Sequence, residues 1–331
     1  MPARDTVIAL EKGHYRLVEQ IGASVYGLLW RATGPGAQGD VALKLVNREQ
    51  MARAQPGLRE RWIASAGTEI AFLQALAPWD RQHIVRLLDS GWCDGLPVLA
   101  LELLPSDLAR HLARRRARGA GPDLLQVLAW LAQLNQALAK VHGHGWRYLD
   151  LKPANILVAN DGSVKLADFG TNRSLAATEA HSYAGTANWQ APEQFVPAPG
   201  GGYATGRQTD YFALGALFHY LVTGGTPLRW NAACAQAYRD HPVDCGRHLQ
   251  GAHGGDLPAP LAPDEETRFA ALLPARARTP ALTLLRALLA CDPAERPHDA
   301  LQISRMLQAV RDAAGGTTQP AVRPPAAGAC P

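Results

Sequence analysis

The run Tyr148-Leu149-Asp150-Leu151-Lys152-Pro153-Ala154-Asn155 and the later tripeptide Asp168-Phe169-Gly170 concentrate the residues of this chain best suited to chemistry. Together they supply one base, one cation and two hard oxygen ligands within reach of a single phosphate. Phosphoryl transfer needs such a set, because it asks a protein for positioning and charge neutralisation and for little covalent chemistry. Asp150 would accept or orient the proton of an attacking hydroxyl, and Lys152, two positions on, would neutralise the transferring group from the same side. Asn155 and Asp168 would hold magnesium, which takes a few oxygen ligands and leaves the rest to water and substrate phosphates. An isolated D-F-G tripeptide carries little weight. Here the strand-like run Ser163-Val164-Lys165-Leu166-Ala167 precedes it and the D-L-K-P-x-N run lies upstream.

The two motifs resemble the catalytic and metal-binding loops of eukaryotic-type (Hanks-type) serine/threonine protein kinases. The resemblance implies an α+β, two-lobed fold with a small, mostly β N-lobe and a larger helical C-lobe. It also implies ATP and Mg2+ as cofactors and protein hydroxyl groups as substrates. A nucleotide site is then required upstream, and Ile21-Gly22-Ala23-Ser24-Val25-Tyr26-Gly27-Leu28-Leu29 fits a glycine-rich strand-turn-strand over phosphates. Ser24 stands where the family usually has its second glycine, which costs some clearance for an anion without forbidding it. Val41-Ala42-Leu43-Lys44 follows in a run whose period-two alternation reads as a strand, so Ala42 and Lys44 share a face. By resemblance that face meets ATP, with Ala42 on adenine and Lys44 on the α- and β-phosphates. The usual fate of a lysine is solvent, but Lys44 sits in an otherwise apolar strand.

A lysine among phosphates needs a counter-charge, which kinases take from a glutamate on the next helix. Glu69 is preferred, at the head of the apolar register Glu69 to Leu76; Glu60 is the alternative, separated from it by Gly67, a poor residue for a helix interior. Ile84 to Leu88 and Val98 to Leu104 read as further strands. By resemblance the second ends in the hinge, where the Glu102 carbonyl and Leu104 amide would bond adenine. Leu29, Ala42 and Leu157 would then sandwich the ring, with Leu101 at the back of the pocket. These are equally ordinary core residues.

Downstream, Gly185-Thr186-Ala187-Asn188-Trp189-Gln190-Ala191-Pro192-Glu193 resembles the family's substrate-docking loop, with Thr186 in the position typical of serine/threonine kinases. Asp210 with Leu214-Gly215 matches the start of a central buried helix, Asp210 to Val222. Arg296 matches the partner of Glu193, a structural ion pair that separates protein kinases from small-molecule kinases of related fold. A pseudokinase scaffold is the other alternative, opposed by the joint presence of Lys44, Glu69, Asp150, Lys152, Asn155 and Asp168. Two residues depart from the family: Tyr148-Leu149 replaces His-Arg before the catalytic aspartate. Tyr148 can still complete an apolar column with Phe169, Leu73 and Leu87. Leu149 offers no charge to an activation-loop phosphate, so activity is expected not to depend strongly on one. The loop's Ser174, Thr178, Ser182 and Tyr183 are possible acceptors that read more simply as loop polarity.

The chain has 331 residues, 47% hydrophobic, with a net charge of +4, enough for both lobes and a tail. Residues 1–14 read as a leader, 15–311 as the kinase domain (15–103 N-lobe, 104–311 C-lobe), and 312–331 as a disordered Pro/Gly/Ala-rich tail. Leu124 to His142 carries a helical apolar stripe, Gly200 to Gly202 reads as a loop, and 229–275 departs most from the family. Arg110, Arg114, Arg115, Arg116 and Arg118 form a local basic cluster that reads as a solvated helix face, with a docking patch for acidic substrates or an anionic polymer as the alternative. No aromatic residues interleave with it, which disfavours nucleic acid. The five scattered cysteines lack paired spacing and read as reduced thiols. No signal peptide or membrane span is evident, so a cytoplasmic protein is expected. Richness in Ala, Arg, Gly and Pro points to a GC-rich bacterial genome.

Overall fold

The computed structural model describes residues 2–24, 27–36, 39–53, 56–177, 185–198 and 201–315. The N-terminal part is a six-stranded antiparallel sheet made of β1 (Val7–Leu10), β2 (Gly13–Ala23), β3 (Gly27–Thr33), β4 (Asp40–Val46), β5 (Leu87–Cys93) and β6 (Leu96–Glu102). Its spatial order is β1-β2-β3-β4-β6-β5. The expected leader therefore contains an edge strand, with Val7 opposite Arg16 and Leu10 opposite Gly13. The strand expected at Ile84 to Leu88 begins at Leu87. Ile84 instead forms a bridge to Leu166, so this stretch links the sheet to the C-terminal part.

Alternation sorts the residues of β4. Val41, Leu43 and Leu45 join Tyr15, Leu17, Leu28 and Trp30 in a core that belongs to the sheet alone. Ala42 turns to the opposite face and joins the larger core, which runs through the rest of the molecule, and Lys44 lies on that same face. Between β4 and β5 come α1 (Arg48–Arg53) and α2 (Pro56–Ala75). The latter is one helix, not a short one headed by Glu69. Gly67 lies inside it on an exposed face, where helix continuation needs no packing partner.

Past the hinge come β7 (Ser106–Asp107), α3 (Leu108–Ala117) and α4 (Leu124–Gly143). Asp123 caps α4 by accepting from the Gln126 amide at 2.7 Å. The α4 stripe Val127, Leu128, Leu131, Leu134, Leu138 and Val141 is buried as expected. Short pairs follow: β8 (Trp146–Arg147) with β11 (Arg173–Ser174), and β9 (Ile156–Val158) with β10 (Val164–Leu166) and β7. Helices α5 (Pro192–Phe195), α6 (Arg207–Val222), α7 (Arg229–Asp240), α8 (Cys245–Ala252), α9 (Pro263–Ala271), α10 (Arg278–Leu288) and α11 (Ala300–Ala313) complete the chain. The stretch 229–275, ambiguous in sequence, thus holds three helices. Nearly every residue of α6 is buried, and a Cβ on Gly215 would stand 2.7 Å from Leu288 Cβ, so glycine permits the close approach of α10. The tail expected from 312 begins inside α11, which continues to Ala313; from 316 onward it lies outside the described residues, as do Thr178, Ser182, Tyr183 and Gly200.

The expected ion pair closes the lower part of the molecule. Arg296 donates to both Glu193 oxygens, at 2.7 and 2.9 Å, and also to the carbonyls of Ala290, Gln208 and Cys291. Its side chain is 0% exposed and lies over the Phe212 ring. Thr209 donates a further bond to Glu193. Replacing Arg296 with Ala should leave Glu193 an uncompensated buried charge and cost roughly 3 to 5 kcal/mol. A thermal melt of the variant checks this; an unchanged midpoint would mean that the pair contributes nothing.

Candidate active site

The sheet delivers Lys44, α2 delivers Glu69, and the chain after β10 delivers Asp168; the three meet at one point. Lys44 Nζ donates to Glu69 Oε2 at 2.6 Å and to Asp168 Oδ1 at 2.9 Å. Burial alone would pull the Lys44 ammonium down, but the charges of Asp168 and Glu69 carry it well above its ordinary value. Lys44 in turn holds the Asp168 carboxyl below the usual range. Burial pushes Glu69 up, with Lys44 pulling against it. Glu60 is exposed on the same helix and is not part of this cluster.

Asp168 has a left-handed backbone, φ 61°, and it turns Phe169 inward. The Phe169 ring packs on Phe72 at 4.6 Å and on Tyr148 at 5.4 Å between centroids. Tyr148 is fully buried and its hydroxyl donates to the Ala167 carbonyl, so the tyrosine fills an apolar position and satisfies its polar tip. Phe72, which the sequence reading left out, thus enters the aromatic column, while the expected Leu73 and Leu87 join the same large core. The Ser65 hydroxyl of α2 donates to the Gly170 carbonyl at 2.7 Å and fixes the same turn from outside.

The catalytic-loop residues converge on Asp150. Lys152 donates to its Oδ2 at 2.8 Å, Asn155 Nδ2 donates to the same oxygen at 2.8 Å, and the Thr186 hydroxyl donates to Oδ1 at 2.7 Å. Lys152 also donates to Thr186 at 2.6 Å. Thr186 is brought there by Gly185, φ 97°, where a Cβ would collide with the Leu149 carbonyl at 2.6 Å. Burial raises the Asp150 pKa, and Lys152 and Thr186 oppose that rise.

Below the loop, buried Asp210 accepts from the Tyr148 amide at 2.9 Å and the Leu149 amide at 2.7 Å, and it pairs with His142 Nε2 at 2.8 Å. Those bonds hold Leu149 in a left-handed conformation, φ 69°, rare for a branched residue. Sequence reading placed Asp210 at a helix start and did not foresee these bonds. It also missed Arg147. That side chain is 4% exposed and donates to the Thr205 carbonyl and to the Ala177 carbonyl at 3.2 Å, joining β8, the activation segment and the approach to α6. Nothing in its local sequence distinguishes it from a surface strand residue.

In the glycine-rich loop, Ser24 makes the turn itself. Its amide donates to the Gly27 carbonyl at 2.7 Å, and its hydroxyl accepts from the Gly27 amide at 3.0 Å. Val25 and Tyr26 lie outside the described residues. Ile21 falls in an irregularity of β2 between Gln20 and Gly22, and Gly22 stands opposite Leu29 in β3. Ala42, Leu101, Leu29, Leu104 and Leu157 all join the core shared by the two parts of the molecule. Glu102 ends β6 and pairs its side chain with Lys165 at 2.6 Å, tying the hinge to β10.

Residues 15–309 match the model of the protein kinase domain family, which is most of the chain. The chain belongs to the protein kinase family. It is similar to cell division control protein 2 homolog 3 of Trypanosoma brucei brucei, with 30% identity over 68% of this chain and 67% of that one. It is also similar to serine/threonine-protein kinase PknL of Mycobacterium tuberculosis, 35% identical over 53% of this chain and 42% of PknL, so it spans less than half of that relative. The two-lobed kinase fold accounts for the sheet and helices above.

The raised pKa of Asp150 generates a pH prediction for this kinase. With Asp150 as the base that the resemblance implies, the rate should fall as pH drops through a value above the ordinary carboxylate range. Removing the Thr186 hydroxyl takes away a donor that favours the ionised form, so Thr186→Ala should move that acidic limb higher still. A pH profile of kcat/KM measures both, and a limb unmoved by the substitution would exclude Asp150 as the titrating group.

Proposed function

We propose that this chain is a catalytically competent kinase that transfers the γ-phosphate of ATP to serine and threonine hydroxyls of proteins. The observation that carries the reading is the closed cluster of Lys44, Glu69 and Asp168. A half-buried cation held between two carboxylates is poised to meet a polyphosphate, and a binding scaffold has no need of it. Ile21, Gly22, Ser24 and Gly27 would cover the phosphates with backbone amides. Leu29, Ala42 and Leu157 would enclose the adenine, and the Glu102 carbonyl and Leu104 amide would bond its edge.

The donor set suits magnesium. Asn155 spends its amide nitrogen on Asp150, which leaves its oxygen for a ligand, and Asp168 offers a second carboxylate oxygen from a half-exposed side chain. Among the described residues no group of three or more His, Cys, Asp or Glu builds a closed cage, as fits an ion shared with substrate phosphates. Bound there, the ion would neutralise charge on the phosphates. Asp150 would orient the acceptor hydroxyl and take its proton, while Lys152 would meet the transferring group. Thr186, bonded to both, would align the acceptor chain. Serine/threonine preference is supported by Thr186 and by the name of the PknL relative.

Activity without a loop phosphate is supported by Arg147, whose bonds to the carbonyls of Ala177 and Thr205 join a described part of the activation segment to the approach to α6. A cytoplasmic setting is supported by free Cys93, Cys234, Cys245 and Cys291. Among the described residues no helix is long and apolar enough to cross a membrane.

Radiolabelled ATP with the purified chain and a generic protein acceptor tests the activity itself. Asp168→Ala should lose turnover on the order of a thousandfold without unfolding; near wild-type turnover that still needs magnesium would contradict the site. Phosphatase treatment should leave most of the activity in place, and a loss beyond about tenfold, ~1.4 kcal/mol, would show that a loop phosphate governs it.

A further inference from the structure

Helix α3 and the turn after it carry Arg110, Arg114, Arg115, Arg116 and Arg118, and from Leu108 to Pro122 there is no acidic residue. The helix packs against the turn Pro153–Asn155 of the catalytic loop, burying Leu108 and Leu112. The five cations divide by what they touch. Arg115 donates to the Gly121 carbonyl at 2.8 Å and Arg116 to the Gly224 carbonyl at 2.9 Å, which fastens the end of the helix and ties it to the loop after α6.

The other three recur every fourth residue and therefore share one face. Arg110 donates to the Ile21 carbonyl at 3.2 Å and pairs with Asp107 at 3.3 Å, so this end of the row lies at the mouth of the nucleotide cleft. Arg114 and Arg118 are exposed, and their side chains make no hydrogen bond or ion pair among the described residues. Like charges at this spacing weaken a helix. Nearby His111 feels the field: burial lowers its pKa, and Arg115 and Arg114 lower it further.

We propose that the row Arg110, Arg114 and Arg118 is a docking surface that selects protein substrates with acidic residues flanking the acceptor hydroxyl. This rests on the kinase reading above. Successive members of the row rise about 6 Å along the helix. Alternate side chains of an extended peptide are about 6.6 to 6.8 Å apart, so carboxylates at every second position match the row. Guanidinium forks suit carboxylates, and no Phe, Tyr or Trp lies within 108–122 to stack a nucleobase.

The test uses the full chain, Arg114→Glu/Arg118→Glu, and three acceptor peptides bearing Glu, Gln or Lys at alternate positions around one serine. The wild type should bind and phosphorylate the Glu peptide about five- to tenfold better than the Gln peptide, less so at high salt. In the double variant that advantage should vanish, with turnover of the Gln peptide unchanged. Equal handling of Glu and Gln peptides by the wild type, or a preference that survives in the variant, would overturn the proposal. So would tighter binding of a labelled single-stranded oligonucleotide than of the Glu peptide, in favour of an anionic polymer. Fluorescence anisotropy reads binding without chemistry, so an acidic preference in binding with no phosphorylation of any peptide would sink the kinase reading and support the docking surface.

Discussion

The catalytic loop depends on one buried carboxylate. Isolated in the interior, Asp210 would carry a desolvation cost of several kcal/mol, and it is stabilised only by donors aimed at it. The Tyr148 and Leu149 amides and the His142 ring supply them. Those bonds hold Leu149 in its unfavourable left-handed conformation, and Gln194 secures the Leu149 carbonyl from the other side at 2.9 Å. With the backbone fixed on both sides, Asp150 has one direction to point. Lys152, Asn155 and Thr186 then meet it there.

A second closure spans the cleft. Lys44 joins β4, α2 and the Asp168 turn, while Phe169 packs tilted on Phe72 and edge-on to Tyr148 along the same path. The charged contact alone would tolerate movement of α2; the aromatic contacts and the Ser65 bond to Gly170 limit it. Tyrosine at 148 is compatible with this packing because its hydroxyl finds the Ala167 carbonyl. The substitution at 149 is balanced differently. A cation two residues upstream of it, Arg147, bonds the carbonyls of Ala177 and Thr205.

Most of the candidate site was legible in the sequence because its chemistry is local. Asp150, Lys152 and Asn155 fall within six residues and must share a loop, and the alternation of β4 puts Ala42 and Lys44 on one face whatever surrounds them. The fold class followed from the family resemblance that the motifs carry, and the α4 stripe from its period. Boundaries were less legible: α2 runs through Gly67 because that position faces solvent, and Val7–Leu10 becomes a strand only because β2 is there to pair with it.

What the sequence determined by itself was the set of reactive groups and the faces they occupy, since residue type and helix or strand period fix both. Tertiary structure decided which groups meet. The apolar register favoured Glu69 over Glu60, but its bond to Lys44 required the docking of α2, and the bonds of Asp210 to residues 148 and 149 cross more than sixty positions of chain. Arg147 and the split of the α3 arginines into anchored and free members leave no local trace either. A hydrogen bond between distant segments depends on where packing brings their backbones, and no spacing in the chain records that.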